Sequence, residues 1–150
     1  MCRNRGTRRC RGRAPVLSLG EAAPPTRAVV APLTAPTEGT GTLDVLPGPR
    51  TDWLAAPDLD GEWTVAPDSN RVGVRLTGHT WRRARTEELP SEGVVRGAIQ
   101  LPPDGRPVIF GPDHPTTGGY PVVGVLTVMS FDLLAQLRPG QRVRFRPVGN

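Results

Sequence analysis

The 150-residue chain has 37% hydrophobic residues, only 5% aromatics, and 18 glycines and 18 prolines, which excludes a helical bundle and favours short strands joined by tight turns. All 19 basic residues are arginine, and six of them (Arg3, Arg5, Arg8, Arg9, Arg11, Arg13) precede residue 14 with no acid among them, leaving thirteen arginines, fourteen acids and a net charge of −1 for the rest. A folded part with no basic excess excludes nucleic-acid binding through it, and the longest apolar run, Pro121 to Met129, is too short to span a membrane.

Residues 1–42 lack apolar periodicity and read as a disordered arginine-rich tail followed by a Pro/Thr-rich linker. Cys2 and Cys10 fall in this tail without the partners a zinc site needs, so they are expected as reduced thiols and no metal is expected. The apolar stretch Ala14 to Leu19 is too short for a secretory signal, which places the protein in the cytoplasm. The domain is expected over residues 43–148. Leu43-Asp44-Val45-Leu46 alternates like a strand and ends at Pro47-Gly48-Pro49. Thr51 is placed to cap a short helix, Asp52 to Ala56, that Pro57 stops. Trp63–Val65 and Val72–Leu76 read as strands, and the His79-Trp81-Arg82 stretch reads as a solvated loop. Val94–Leu101 and Pro107–Phe110 flank Pro102-Pro103-Asp104-Gly105-Arg106, a hairpin with Asp-Gly at its tip.

Pro121–Met129 reads as a buried β-branched strand, after which Ser130 caps a helix with Phe131, Leu134 and Leu137 on its apolar face. Arg138-Pro139-Gly140-Gln141 predicts a type II turn. It feeds a last strand in which Val143 and Phe145 oppose Arg142, Arg144 and Arg146. About seven short strands and one or two helices describe a small, mainly β, barrel-like domain.

Polar chemistry concentrates in His114-Pro115-Thr116-Thr117-Gly118-Gly119-Tyr120. Successive glycine N–H groups can form a nest for a carboxylate or phosphate, with the threonine hydroxyls as added donors. The same residues also describe a plain tight turn whose glycines supply positive φ. Asp104 suits turn chemistry or a catalytic carboxylate, and Asp113 beside His114 resembles an acid–base pair although neighbours in a strand point apart. Glu92 is the carboxylate of its loop that could act as acid or base. A lysine-dependent phosphate loop is impossible without lysine, and no Gly-x-Ser-x-Gly elbow occurs.

Ser69-Asn70-Arg71-Val72-Gly73-Val74-Arg75-Leu76, Glu88-Leu89-Pro90-Ser91-Glu92-Gly93-Val94-Val95, Gly97-Ala98-Ile99-Gln100-Leu101-Pro102-Pro103-Asp104-Gly105, Thr116-Thr117-Gly118-Gly119-Tyr120-Pro121 and Leu134-Ala135-Gln136-Leu137-Arg138-Pro139-Gly140 together resemble one family. It is the carboxyltransferase-domain family that includes allophanate hydrolase subunit 2 and the C subunit of 5-oxoprolinase. The match covers Leu43 to Val148, as the C-terminal half of a usual member. Val72, where methionine is common, and Phe110-Gly111-Pro112 depart from the pattern.

The resemblance implies a cyclophilin-like β-barrel half-domain and an ATP-dependent hydrolase complex that opens 5-oxoproline to glutamate with a sister subunit. It makes Asp104 and His114 the candidate proton carriers. Gln100, Thr116, Thr117, Gly118, Gly119 and Tyr120 become candidates for holding a small-molecule substrate or nucleotide. The competing expectations are a regulatory module that binds a sister subunit without chemistry, and an inactive truncated fragment.

Overall fold

A computed structural model describes residues 39–56, 59 and 61–149. The expectations for the tail, its two cysteines and most of the linker lie outside the described residues. Among those described, nine strands and one α-helix follow in order: β1 (Gly41–Pro47), β2 (Trp63–Val65), β3 (Gly73–Gly78), β4 (Glu92–Gly93), β5 (Ala98–Gln100), β6 (Val108–Phe110), β7 (Thr117–Gly118), β8 (Val122–Leu126), α1 (Val128–Leu134) and β9 (Arg142–Pro147). Seven of them close a barrel in the order β1-β8-β5-β6-β3-β2-β9, and β4 pairs with β7 in a separate two-stranded ribbon. The barrel is antiparallel except at one seam, where β1 runs parallel to β9 from Gly41↔Val143 to Val45↔Pro147. No helix among the described residues is long and apolar enough to cross a membrane.

The strands form where side chains alternate between a packed and a wet face. In β9, Val143 and Phe145 are buried while Arg142, Arg144 and Arg146 stay outside; in β1, Leu43 and Val45 point inward. The interior gathers Trp63, Trp81 and Phe145 around one another, with Trp63 4.9 Å from Trp81 and 4.8 Å from Phe145 between ring centroids. Each buried aromatic of this kind removes a large apolar area from water.

The Asp-Gly hairpin forms as expected: β5 and β6 pair antiparallel at Ile99↔Ile109 and Gln100↔Val108. Its turn is closed by the Gly105 N–H donating to the Pro102 carbonyl at 3.0 Å. Gly105 adopts φ +75°, and a Cβ there would lie 2.4 Å from the Trp81 carbonyl oxygen, so only glycine fits. The Arg138–Gln141 turn also forms, with Gly140 at φ +88°.

Four local expectations are corrected. The Asp52–Ala56 helix is a single 3-10 turn over Thr51–Trp53, and Thr51 does not cap it. The Thr51 hydroxyl reaches instead to the Gly48 and Val123 carbonyls, while Ala55 donates to the Arg82 carbonyl in a neighbouring strand-like segment. The Pro121–Met129 strand stops at Leu126, because Thr127 caps α1 by accepting from the Ser130 N–H. Ser130, the expected cap, lies inside the helix, buried, with its hydroxyl accepting from the Asp44 N–H at 2.7 Å. The expected apolar face holds in part: Leu134 is buried and Phe131 packs against the core, while Leu137, which also packs there, lies beyond the end of α1 at Leu134. Finally, Trp81 belongs to the core and not to a solvated loop.

Candidate functional site

The β5–β6 hairpin and the β4–β7 ribbon meet around Gln100. Where β5 pairs with β8, the register shifts between Ile99 and Gln100, so that Ile99 faces Gly124 and Gln100 faces Val122. Such an irregularity re-aims a side chain at the end of a strand. Gln100 is only 5% exposed, and its Nε2 donates to the Tyr120 carbonyl at 3.0 Å. The ribbon presses against that carboxamide: a Cβ on Gly118 would stand 2.5 Å from Gln100 Nε2. Gly118 is therefore glycine because of close approach.

Neither Gly118 nor Gly119 takes a positive φ, which corrects both sequence-based geometries for this loop. A tight turn with left-handed glycines and a nest of alternating hand are both absent here. The chain instead runs extended as β7, pairing Thr117 with Gly93 and Gly118 with Glu92.

Two clefts flank this arrangement. One, of about 800 Å³, runs between the Thr80–Arg83 segment and the Pro103–Gly105 turn, with Gly119 and Tyr120 in its wall. The other, of about 480 Å³, is lined by Arg75, Gln100, Arg106 and Phe110. Asp104 and Tyr120 line both, so they form the ridge between them. Asp104 is held by its turn, one carboxylate oxygen accepting from the Arg106 N–H at 3.1 Å. Tyr120 is 46% exposed. A carboxylate and a phenol at the junction of two clefts lined by both arginines and carboxylates can move a proton on, or orient, a small polar molecule.

Of the residues singled out in the sequence, the structure thus brings together Gln100, Asp104, Gly118, Gly119 and Tyr120. His114, Thr116 and Thr117 line neither cleft. The half-buried His114 directs Nδ1 to the Pro115 carbonyl at 2.7 Å, and Thr116 gives its carbonyl to the Val94 N–H. Asp113 is taken by Arg71, at 2.7 and 3.2 Å, and this guanidinium keeps its carboxyl below the ordinary range, so it does not serve His114. Glu92 is similarly paired with Arg50, whose hydrogen bonds lower its pKa. Among the described residues, no three His, Cys, Asp or Glu side chains gather into a metal-binding group.

Sequence reasoning left Arg82 in a solvated loop and passed over Arg83; both line the larger cleft. The signal for them was a buried-type aromatic, Trp81, followed by arginines at 82, 83 and 85 before the first acid at Glu87.

Comparison with known proteins agrees with this architecture. A family model described as carboxyltransferase domain, subdomain A and B, matches residues 9–147. The chain is 37% identical over 87 residues to the C subunit of 5-oxoprolinase from Haemophilus influenzae, covering 58% of this chain and 28% of that protein. It is 35% identical over 107 residues to the C subunit of 5-oxoprolinase from Escherichia coli, covering 69% and 34% respectively. The crystal structure of Kluyveromyces lactis urea carboxylase superposes with a TM-score of 0.67 at 28% identity, over 76% of this chain and 12% of that one. The chain thus spans about a third of the length of these two relatives.

Proposed function

Since the chain belongs to the carboxyltransferase-domain family, we propose that it acts as the C-type component of a cytoplasmic, ATP-dependent complex that opens the lactam of 5-oxoproline to glutamate. The observation that carries this reading is the ridge of Asp104 and Tyr120 between two arginine-bearing clefts. A small carboxylated lactam fits within clefts of this size, where its carboxylate would meet arginines that stand among the carboxylates of Glu87, Glu88, Asp104 and Asp68. In this reading Asp104 moves a proton at the scissile amide and the Tyr120 hydroxyl donates to the lactam oxygen. Gln100 holds Tyr120 in place through its carbonyl. Without left-handed geometry at Gly118 and Gly119, the loop does not fit a polyphosphate, and ATP is assigned to the sister subunit. His114, Thr116 and Thr117, on the ribbon side and outside both clefts, are assigned to contact with that subunit.

The test combines the purified chain with the sister subunit and follows ATP-dependent glutamate formation. Asp104→Asn is expected to lower the rate at least about 100-fold, the span of a positioned acid or base; an unchanged rate would remove Asp104 from the chemistry. Binding to the sister subunit without turnover, where a full-length relative does turn over, would favour a regulatory module.

A further inference from the structure

We propose that Arg83 is the anchor for the substrate carboxylate in the larger cleft, an inference that rests on the lactam reading above. Arg83 and Arg85 both approach the indole of Trp53, with guanidinium carbons 5.0 and 6.0 Å from its centre. Arg85 has its own carboxylate, Asp52, at 2.7 Å. Arg83 has none among the described residues, although Glu87 and Glu88 line the same cleft, and its Nε is buried with no hydrogen-bond partner.

A guanidinium partly removed from water and lacking an acceptor is a costly arrangement for the free protein. An oxyanion in the cleft can meet the two terminal nitrogens of the planar fork, which match the two oxygens of a carboxylate, while the Nε stays closed off from solvent. The head group is also preset. Leu54 and Arg83 form an isolated β-bridge, the Ala84 N–H donates to the Trp53 carbonyl at 2.8 Å, and the ring of Trp53 lies beneath the guanidinium. Little side-chain freedom is left to lose on binding. Asp104 and Tyr120 stand in the wall of the same cleft, so an anion on Arg83 presents the rest of a small molecule to the ridge.

The experiment titrates the full chain with 5-oxoproline, with 2-pyrrolidinone, which has the lactam but no carboxylate, and with inorganic phosphate. It compares the parent with Arg83→Gln, Arg83→Lys and an exposed control, Arg138→Gln. The expected result is that 2-pyrrolidinone binds at least about tenfold more weakly than 5-oxoproline. Arg83→Gln should lose about as much for 5-oxoproline, Arg83→Lys should fall between, and the control should match the parent. Thermal melts should show Arg83→Gln melting close to the parent, because the lost contact with the Trp53 ring and the relief of the unpartnered Nε act in opposite directions.

Equal affinity of parent and Arg83→Gln, or no binding of either anion to the parent, would overturn the inference. So would a drop in melting temperature in both Arg83 variants with affinity unchanged. Phosphate bound through Arg83 with 5-oxoproline ignored would sink the lactam reading and leave Arg83 an oxyanion anchor. Undiminished turnover by Arg83→Gln with the sister subunit would do the reverse.

Discussion

At Gly118 a single missing carbon sets the geometry of the ridge. Adding it, as Gly118→Ala, puts a methyl 2.5 Å from Gln100 Nε2, so the carboxamide has to shift and its bond to the Tyr120 carbonyl is expected to weaken or break. The expected cost is about 1–3 kcal/mol, that of a buried polar group deprived of its partner, read by chemical denaturation, with Tyr120 displaced in a crystal structure. Thr117→Val is the counterpart. Thr117 is exposed on β7, so its loss should change stability by no more than about 0.5 kcal/mol. If the ribbon contacts the sister subunit, binding to that subunit should weaken while 5-oxoproline binding does not; equal partner binding would leave Thr117 a plain strand residue. The sequence showed Gln100, Asp104 and Tyr120 as polar residues beside turns, because local pattern carries that much. It could not show that Gly118 owes its identity to a side chain eighteen positions earlier. Nor could it show that Arg83 lies against Trp53, since both facts depend on segments distant in sequence that meet outside the barrel strands, in the β4–β7 ribbon and at the Leu54–Arg83 bridge.

Between elements, the tie from α1 to β1 is made by one backbone unit, Asp44. Its N–H donates to the Ser130 hydroxyl and its carbonyl accepts from the Thr127 N–H. Ser130→Ala should cost about 1–3 kcal/mol, because the Asp44 N–H loses its acceptor in a part-buried setting. Thr127→Ala should cost about 1 kcal/mol as an ordinary N-cap loss. Urea denaturation of the two variants checks the order; a larger loss for Thr127→Ala would reverse the account. This pair also shows why the helix start was misread by three residues. Thr127 and Ser130 are both good caps by chemistry, and Val128 and Met129 prolong the strand pattern of Val122 to Leu126. What decides between them is a donor 86 residues away, invisible to any local window. The elements read correctly, β9, the Asp-Gly hairpin and the Arg138–Gln141 turn, are those whose signal is wholly local: strict alternation, or a glycine where φ must be positive.

For the whole molecule, the outer surface is fastened by exposed arginine–carboxylate pairs, and their titration sets its response to acid. Asp44, Glu62, Glu92 and Asp113 each have a lowered pKa, in every case chiefly through a hydrogen bond from an arginine. Groups depressed in the folded state add stability above the ordinary carboxylate values of 3.8 and 4.5 and lose it as pH falls through the folded values. Melting temperature should therefore stay level from neutral pH to about pH 5 and fall below about pH 4. Added salt should flatten the difference, because these pairs face solvent; a decline beginning near neutrality would contradict this account. The parallel seam between β1 and β9 has a separate consequence, for mechanical load. Tension applied through residues 39 and 149 pulls the two strands past each other lengthwise, so the bonds along the seam resist in concert, as rungs in shear. Tension through residues 48 and 149 pulls from the same end of both strands and peels those bonds one after another. Single-molecule stretching should find a markedly higher rupture force for the first pair of handles than for the second, giving a barrel that is strong along one direction and weak along another.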